Sequence, residues 1–78
     1  MWTEANSKLY QKFEFKDFTE AFGFISKIAL ITEKADHHAT ITNTYNVVEL
    51  WLTTHDKGNT ITQKDRLLAA KIDAIMNA

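Results

Sequence analysis

Polar and apolar residues alternate from Lys8 to Phe15. One set contains Leu9, Gln11, Phe13 and Phe15, and the other contains Lys8, Tyr10, Lys12 and Glu14. Because successive side chains of a strand point to opposite faces, this two-residue period predicts a half-buried β-strand. Residues 2–6 are predicted to form a shorter partner strand.

The period changes to three and four residues after Asp17. The apolar residues at this spacing are Phe18, Ala21, Phe22, Ile25, Ile28 and Ala29. They predict an amphipathic helix, with Asp17 as its N-cap and Glu20 in the capping-box position. Phe24 and Ile31 fall off this main stripe, so the apolar surface is wider than one sheet face needs. We expect part of it to contact another subunit.

Residues 39–54 are dense in threonine, valine, isoleucine and tyrosine, which suit a pleated surface. They predict two strands joined by a turn at Asn43-Thr44. The residues expected to face the helices are Val48, Leu50 and Leu52, and those expected to face away are Tyr45, Val47, Glu49 and Trp51. An outer face that carries aromatic rings is typical of a covered sheet, which again indicates association.

A second helix is predicted at the end of the chain. Thr62-Gln63-Lys64-Asp65 has the pattern of a capping box. The apolar residues that follow at helical spacing are Leu68, Ala69, Ile72, Ile75 and Met76. The element order β-β-α-β-β-α predicts an α+β two-layer sandwich, in which a four-stranded antiparallel sheet carries two helices packed on one face.

Composition indicates a small folded domain over residues 1–78. The chain is 45% hydrophobic and 12% aromatic, which excludes a disordered segment, and its length excludes a two-domain enzyme. It contains no cysteine, so neither disulfides nor a thiolate zinc site stabilise it. Domains of this size bury only somewhat over ~60% of their unfolded surface, so we expect a homodimer or homotetramer.

Charge and hydropathy exclude several classes of partner. Nine Lys and Arg residues against ten Asp and Glu residues give a net charge of -1, and the basic residues are scattered. This pattern disfavours direct binding to nucleic acid. No apolar stretch approaches the ~18 residues of a membrane span, and no basic segment followed by an apolar run opens the chain. We therefore expect a soluble, cytoplasmic protein without membrane contact.

The three histidines occupy two places in the predicted sheet. His37-His38 stand at the start of the third strand, and His55 stands at the end of the fourth. Because antiparallel neighbours bring these ends together, we expect the three imidazoles to lie close to one another. Imidazole exchanges protons near neutral pH, which suits general acid–base catalysis. The carboxylates that frame the cluster are Glu33, Asp36 and Asp65.

Two other interpretations of the histidines stay open. Three histidines and a carboxylate are a zinc ligand set, although His37 and His38 point to opposite faces of a regular strand. Histidines at a helix-to-strand junction are also often plain solvated residues. Asp65 would then only complete a capping box, and Glu33 and Asp36 would be surface charges.

Several segments of the chain resemble the pterin-4a-carbinolamine dehydratase family, whose animal members double as the dimerisation cofactor of a homeodomain transcription factor. The segments are Phe15-Lys16-Asp17-Phe18, Ala21-Phe22-Gly23-Phe24, Glu33-Lys34-Ala35-Asp36-His37-His38, Tyr45-Asn46-Val47-Val48 and Thr54-His55, with Asp65 beyond. The resemblance implies a two-layer fold that forms dimers and tetramers. It also implies a hydro-lyase, free of metal and cofactor, that dehydrates 4a-hydroxytetrahydropterin to quinonoid dihydropterin in the recycling of tetrahydrobiopterin.

The resemblance assigns roles by position. It makes His37 and His55 candidates for the general acid and His38 a candidate for binding and orienting the pterin. Glu33 would hold the ring or the imidazoles, and Asp65 would hydrogen-bond near the histidines. The residues implied to contact substrate are Glu33, Asp36, Thr54 and Asp65.

The chain departs from the family pattern in two places. Where the family has His-His-Pro followed shortly by tryptophan, this chain has Ala39 and Ile41, and Trp2 is a candidate for the missing stacking ring. The connection from His55 to Asp65 is one residue longer than usual. These departures leave a second hypothesis open, a non-catalytic oligomer that binds another protein.

Overall fold

The computed structural model describes residues 1–77, which form one four-stranded sheet and two helices. The strands are β1 (Thr3–Ala5), β2 (Lys8–Glu14), β3 (Thr40–Thr44) and β4 (Val47–Leu52), and the helices are α1 (Phe18–Ala35) and α2 (Gln63–Met76). A short 3-10 turn, His55–Lys57, precedes α2. All neighbouring strands are antiparallel, in the order β1-β2-β4-β3. The predicted α+β sandwich is confirmed.

The core lies between the inner face of the sheet and the two helices. Its buried side chains are Leu9, Phe13, Val48, Leu50 and Leu52 from the strands, Ala21, Phe24 and Ile28 from α1, and Leu68, Ala69 and Ile72 from α2. The inward residues predicted for β4 are therefore correct. Tyr10, Glu49 and Trp51 lie on the opposite face, which the helices leave uncovered.

The buried stripe of α1 differs from the predicted one. Phe24 is only 5% exposed and packs against the rings of Phe13 and Phe15, whereas Phe18 and Phe22 are 48% and 51% exposed. The helix carries two overlapping apolar stripes, and the one that faces the core is continued by Thr32, whose hydroxyl donates to the Ala29 carbonyl. Within residues 1–77, no helix is long and apolar enough to cross a membrane.

The turn between β3 and β4 also differs from the predicted one. Thr44 pairs with Val47, so the turn is Tyr45-Asn46 rather than Asn43-Thr44. Tyr45 adopts a left-handed conformation with φ 51°. The Asn43 amide donates to the carbonyls of Tyr45 and Val47, which stabilises the turn from within the strand. Tyr45 therefore belongs to the turn and not to the outer face of the sheet.

Three junctions of the fold meet at one end of the sheet. Thr40, the first residue of β3, pairs with Trp51, near the end of β4. Asp36 caps the C-terminus of helix α1, and its left-handed backbone (φ 50°, ψ 44°) reverses the chain into β3. An isolated bridge between Thr54 and Thr60 then leads the chain back towards α2.

Candidate active site

A cavity of about 260 Å³ opens at this end of the sheet. Its walls are residues 36–40 from the junction of α1 and β3, Trp51 and residues 53–56 from the end of β4 and the turn after it, and Lys64 from α2. The structure thus brings His37, His38 and His55 to one cavity. None of them lies within a strand as predicted, because His37-His38 precede β3 and His55 begins the 3-10 turn after β4. Asp36 and Thr54 also line the cavity.

His37 is the most firmly held of the three imidazoles. Its Nε2 lies 2.6 Å from Oδ1 of Asp65, and the two side chains are 12% and 0% exposed, respectively. The other carboxylate oxygen of Asp65, Oδ2, accepts hydrogen bonds from the Thr54 hydroxyl at 2.8 Å and from the Thr62 backbone N–H at 2.9 Å. Asp65 does not line the cavity, and it reaches the site only through the ring of His37 and the hydroxyl of Thr54.

The charge of Asp65 determines which nitrogen of His37 carries hydrogen. Burial alone would raise the pKa of Asp65, but hydrogen bonds from His37, the Thr62 N–H and the Thr54 hydroxyl, together with charge on His37, lower it below its ordinary value of 3.8. The carboxylate is therefore ionised near neutral pH and accepts from Nε2–H. This bond fixes the orientation of the ring and leaves Nδ1 for proton exchange.

The capping box of α2 places Asp65 beneath His37. Thr62 accepts from the backbone of Lys64, and Asp65 accepts from the backbone N–H of Thr62, so the predicted capping box is confirmed. Thr54 and Thr62 share a hydrogen bond of 2.6 Å between their hydroxyls. The bridge between Thr54 and Thr60 closes the intervening loop, with N to O at 2.9 Å. The longer connection therefore still delivers Asp65 to His37.

His38 is held more loosely, because its partner is a side chain exposed to solvent. Its Nε2 lies 2.8 Å from Oε1 of Glu33, and the two side chains are 59% and 80% exposed. Exposed pairs of this kind stabilise a conformation by at most ~1 kcal/mol. Glu33 does not line the cavity, so in this structure it positions His38 rather than touching the cavity space.

His55 has a third kind of partner. Its Nδ1 lies 2.7 Å from Oδ1 of Asn59, an amide oxygen that can only accept, so Nδ1 carries hydrogen and Nε2 is left free. Asn59 and Gly58 both have left-handed backbones, with φ of 59° and 73°, which tighten the turn enough for the Asn59 amide to reach the ring. Each imidazole thus has its own partner. No group of three or more His, Asp or Glu side chains within residues 1–77 is placed to hold a metal ion.

The aromatic residue at the cavity is Trp51, which the sequence prediction missed. Trp2, the predicted candidate, lies elsewhere, because its indole N–H donates to Asp73 at 2.9 Å and its ring packs edge-on against Phe13. Ile41 packs against the core. Lys64 also lines the cavity and was not predicted to do so. The pairing of Thr40 with Trp51 places the tryptophan at the cavity. This pairing can be deduced only when the turn is assigned to Tyr45-Asn46.

Comparison with known sequences gives a consistent result. The sequence profile described as pterin 4 alpha carbinolamine dehydratase matches residues 1–75. A protein of Prochlorococcus marinus (strain NATL2A) is 49% identical over 77 residues, which cover 99% of this chain and 80% of the relative. One of Rhodopseudomonas palustris (strain HaA2) is 47% identical over 76 residues, covering 95% and 74%. Both relatives carry the name "Putative pterin-4-alpha-carbinolamine dehydratase".

Solved structures agree with the sequence match. A transcriptional coactivator/pterin dehydratase from Brucella melitensis superposes with a TM-score of 0.89 at 41% identity, covering 95% of this chain and 80% of the other. A pterin dehydratase-like protein that is a RuBisCO assembly factor in the alpha-carboxysome superposes with a TM-score of 0.76 at 20% identity, covering 95% and 84%, and shares the fold. By sequence profile, relatives and fold, the chain belongs to the pterin-4a-carbinolamine dehydratase family.

Proposed function

We propose that this protein dehydrates 4a-hydroxytetrahydropterins to quinonoid dihydropterins. The observation that carries the proposal is the cavity at the end of the sheet, where three imidazoles surround one space and a buried carboxylate fixes one of them. Cavities for small ligands are concave and hold a few polar groups in fixed positions. Membership of the family supports the choice of reaction, and the three histidines provide side chains that can transfer its protons.

The reaction requires both an acid and a base. The bond between C4a and oxygen breaks, the oxygen leaves as water after protonation, and a proton leaves the neighbouring ring nitrogen, so there is no net oxidation or reduction. Hydroxide is a poor leaving group, so protonation of the oxygen as it departs lowers the barrier. Histidine performs both transfers near neutral pH because its charge changes in that range.

The hydrogen bonds of the site support a different role for each histidine. In this proposal, Nδ1 of His37 and Nε2 of His55 exchange protons with the substrate, since each ring's other nitrogen donates to a protein oxygen. His38, anchored by Glu33, binds and orients the pterin. The side chains of Asp36 and Thr54 contact it from the cavity wall.

A stopped-flow assay of 4a-hydroxytetrahydropterin decay tests the function. We expect the wild-type protein to accelerate decay above the buffer rate. The His38→Ala variant should raise KM by about tenfold or less, the value of one hydrogen bond, with a smaller change in kcat. Trp2→Phe is the matched control, because Trp2 lies away from the cavity. Decay at the buffer rate with folded wild-type protein would refute the proposal.

We further propose that the protein is a homodimer or homotetramer, the state in which it would also bind any protein partner. The rings of Phe18 and Phe22 lie against each other on the exposed side of α1, with centroids 5.6 Å apart and planes tilted by 42°, and Leu30 is 74% exposed. Apolar rings grouped on one surface typically mark an association site. Light scattering after gel filtration should give at least twice the mass of one chain, and Phe22→Ser should lower it. A single-chain mass for the wild type would contradict this prediction.

A further inference from the structure

The cavity has one aromatic wall. Among residues 1–77, Trp51 is the only lining residue with an aromatic side chain other than imidazole. It is half-buried on the outer face of β4, opposite Thr40 of β3. The histidine-bearing segments flank the same space, so the indole forms one side of the cavity that the imidazoles border.

The ring of Trp51 is backed by a second ring. Tyr10 is its direct partner across β2 and β4, and the two ring centroids are 5.2 Å apart at an interplanar angle of 41°. The Tyr10 hydroxyl donates to Oε2 of Glu49 at 2.6 Å. The hydrogen bond to Glu49, with some desolvation and the charge of that carboxylate, raises the pKa of Tyr10, so the phenol keeps its proton. Tyr10 thus supports the indole from the side of the sheet, and Glu49 holds Tyr10 in place.

We infer that Trp51 is the surface on which the flat ring of the substrate stacks, and that Tyr10 and Glu49 position it. A planar heteroaromatic ring gains binding energy against an aromatic face without needing directional bonds. The three histidines can then meet the edge of the ring with their nitrogens. This inference rests on the proposed function for the identity of the ligand, a bicyclic pterin.

Nuclear magnetic resonance of the unmodified protein tests the stacking directly. The chain has two tryptophans, Trp2 and Trp51, so it gives two indole N–H signals, which Trp2→Phe and Trp51→Phe assign. The probe is 7,8-dihydropterin, which lacks the 4a-hydroxyl and does not react. We expect its ring current to move the Trp51 signal and to leave the Trp2 signal in place. Binding that moves neither signal, or only that of Trp2, overturns the inference.

Binding constants of variants give a second, independent measurement. By titration calorimetry, Trp51→Ala should raise the Kd for 7,8-dihydropterin about tenfold or more, whereas Trp51→Phe, which keeps a ring, should raise it about threefold or less. Trp2→Phe should bind as the wild type does. Equal Kd values for Trp51→Ala and wild type, with both folded, overturn the inference.

The two proposals fail separately. If the protein binds the probe on Trp51 but does not accelerate dehydration, the inference stands and the proposed function falls. If dehydration is accelerated and Trp51→Ala keeps the wild-type KM, the proposed function stands and the inference falls. Absence of any binding of the probe to wild-type protein overturns the inference whatever the assay of dehydration shows.

Discussion

His37→Ala should lower the kcat for dehydration by about 10²–10⁴-fold, the range typical of a lost general acid or base. His37 is the imidazole with the most restricted geometry, because its ring is nearly buried and Nε2 donates to the ionised Asp65. A group held in this way meets the reacting oxygen without reorganising. Stopped-flow kinetics at saturating substrate measure the change.

His55→Ala is the informative comparison. His55 lines the same cavity, but it is exposed and held by a neutral amide of the neighbouring turn, so we expect a smaller loss of kcat. Trp2→Phe controls for the effect of purification and substitution. A general acid typically contributes at least about 10²-fold to the rate. If the kcat of His37→Ala stays within about threefold of wild type, His37 is therefore not the general acid or base. Circular dichroism of each variant separates loss of catalysis from loss of fold.

The placement of the histidines at one end of the sheet was predictable from strand order. Antiparallel neighbours bring the start of one strand towards the end of the other, and the register then determines how closely His55 approaches His37 and His38. The capping box was predictable for a similar reason, since Thr62 and Asp65 satisfy backbone groups of their own helix. Local hydrogen bonding and topology thus placed three imidazoles and the carboxylate at the same end of the sheet.

Register was not predictable from the same pattern. A turn at Asn43-Thr44 would pair Thr40 with Val47, whereas the observed turn pairs Thr40 with Trp51. The observed turn is stabilised by a distant contact, in which Asn46 and Phe15 exchange two backbone-directed hydrogen bonds at 2.9 Å. Residues far apart in the chain therefore determine which aromatic residue reaches the cavity, and local sequence did not indicate it.

The buried face of α1 was predicted only in part, since Ala21 and Ile28 are buried as expected but Phe22 is exposed. Phe22 and Phe24 are both apolar, and the helix can bury only one of them against the sheet. Phe24 is the one that is buried, because its ring packs against those of Phe13 and Phe15, with ring centroids 4.8 and 5.1 Å apart. Periodicity identifies a helix but does not decide between adjacent stripes when both are apolar. The residues that pack against the helix determine which of its two apolar stripes is buried.

Asp65→Ala should lower the free energy of unfolding by about 3 kcal/mol, combining a lost N-terminal capping interaction with loss of a buried charged acceptor. The substitution leaves the Thr54 hydroxyl, the Thr62 N–H and the His37 ring without their shared acceptor. A domain of this length has roughly 4–12 kcal/mol in total, so the loss is a large fraction of its stability. Urea titration followed by circular dichroism measures it.

Asp17→Ala is the matched control, because Asp17 is also an aspartate cap. Its side chain accepts from the Glu20 N–H at the exposed start of α1 and contacts no histidine. We expect a loss of about 1 kcal/mol, the ordinary value of a cap. Equal losses for the two variants would show that Asp65 stabilises the protein only as a cap and that its bond to His37 contributes nothing.

Acid should reveal the charge of Asp65. Because its pKa is lower in the folded protein than the ordinary 3.8, its carboxylate stabilises the fold above that value, and this contribution is lost as pH falls through the lowered folded pKa. The Asp65→Asn variant has no carboxylate at this position, so it lacks this stabilisation at every pH. The difference in unfolding free energy between wild type and Asp65→Asn should therefore be largest near neutrality and should shrink below about pH 4. A difference that stays constant from about pH 7 to pH 3 would mean that Asp65 does not carry the charge that orients His37.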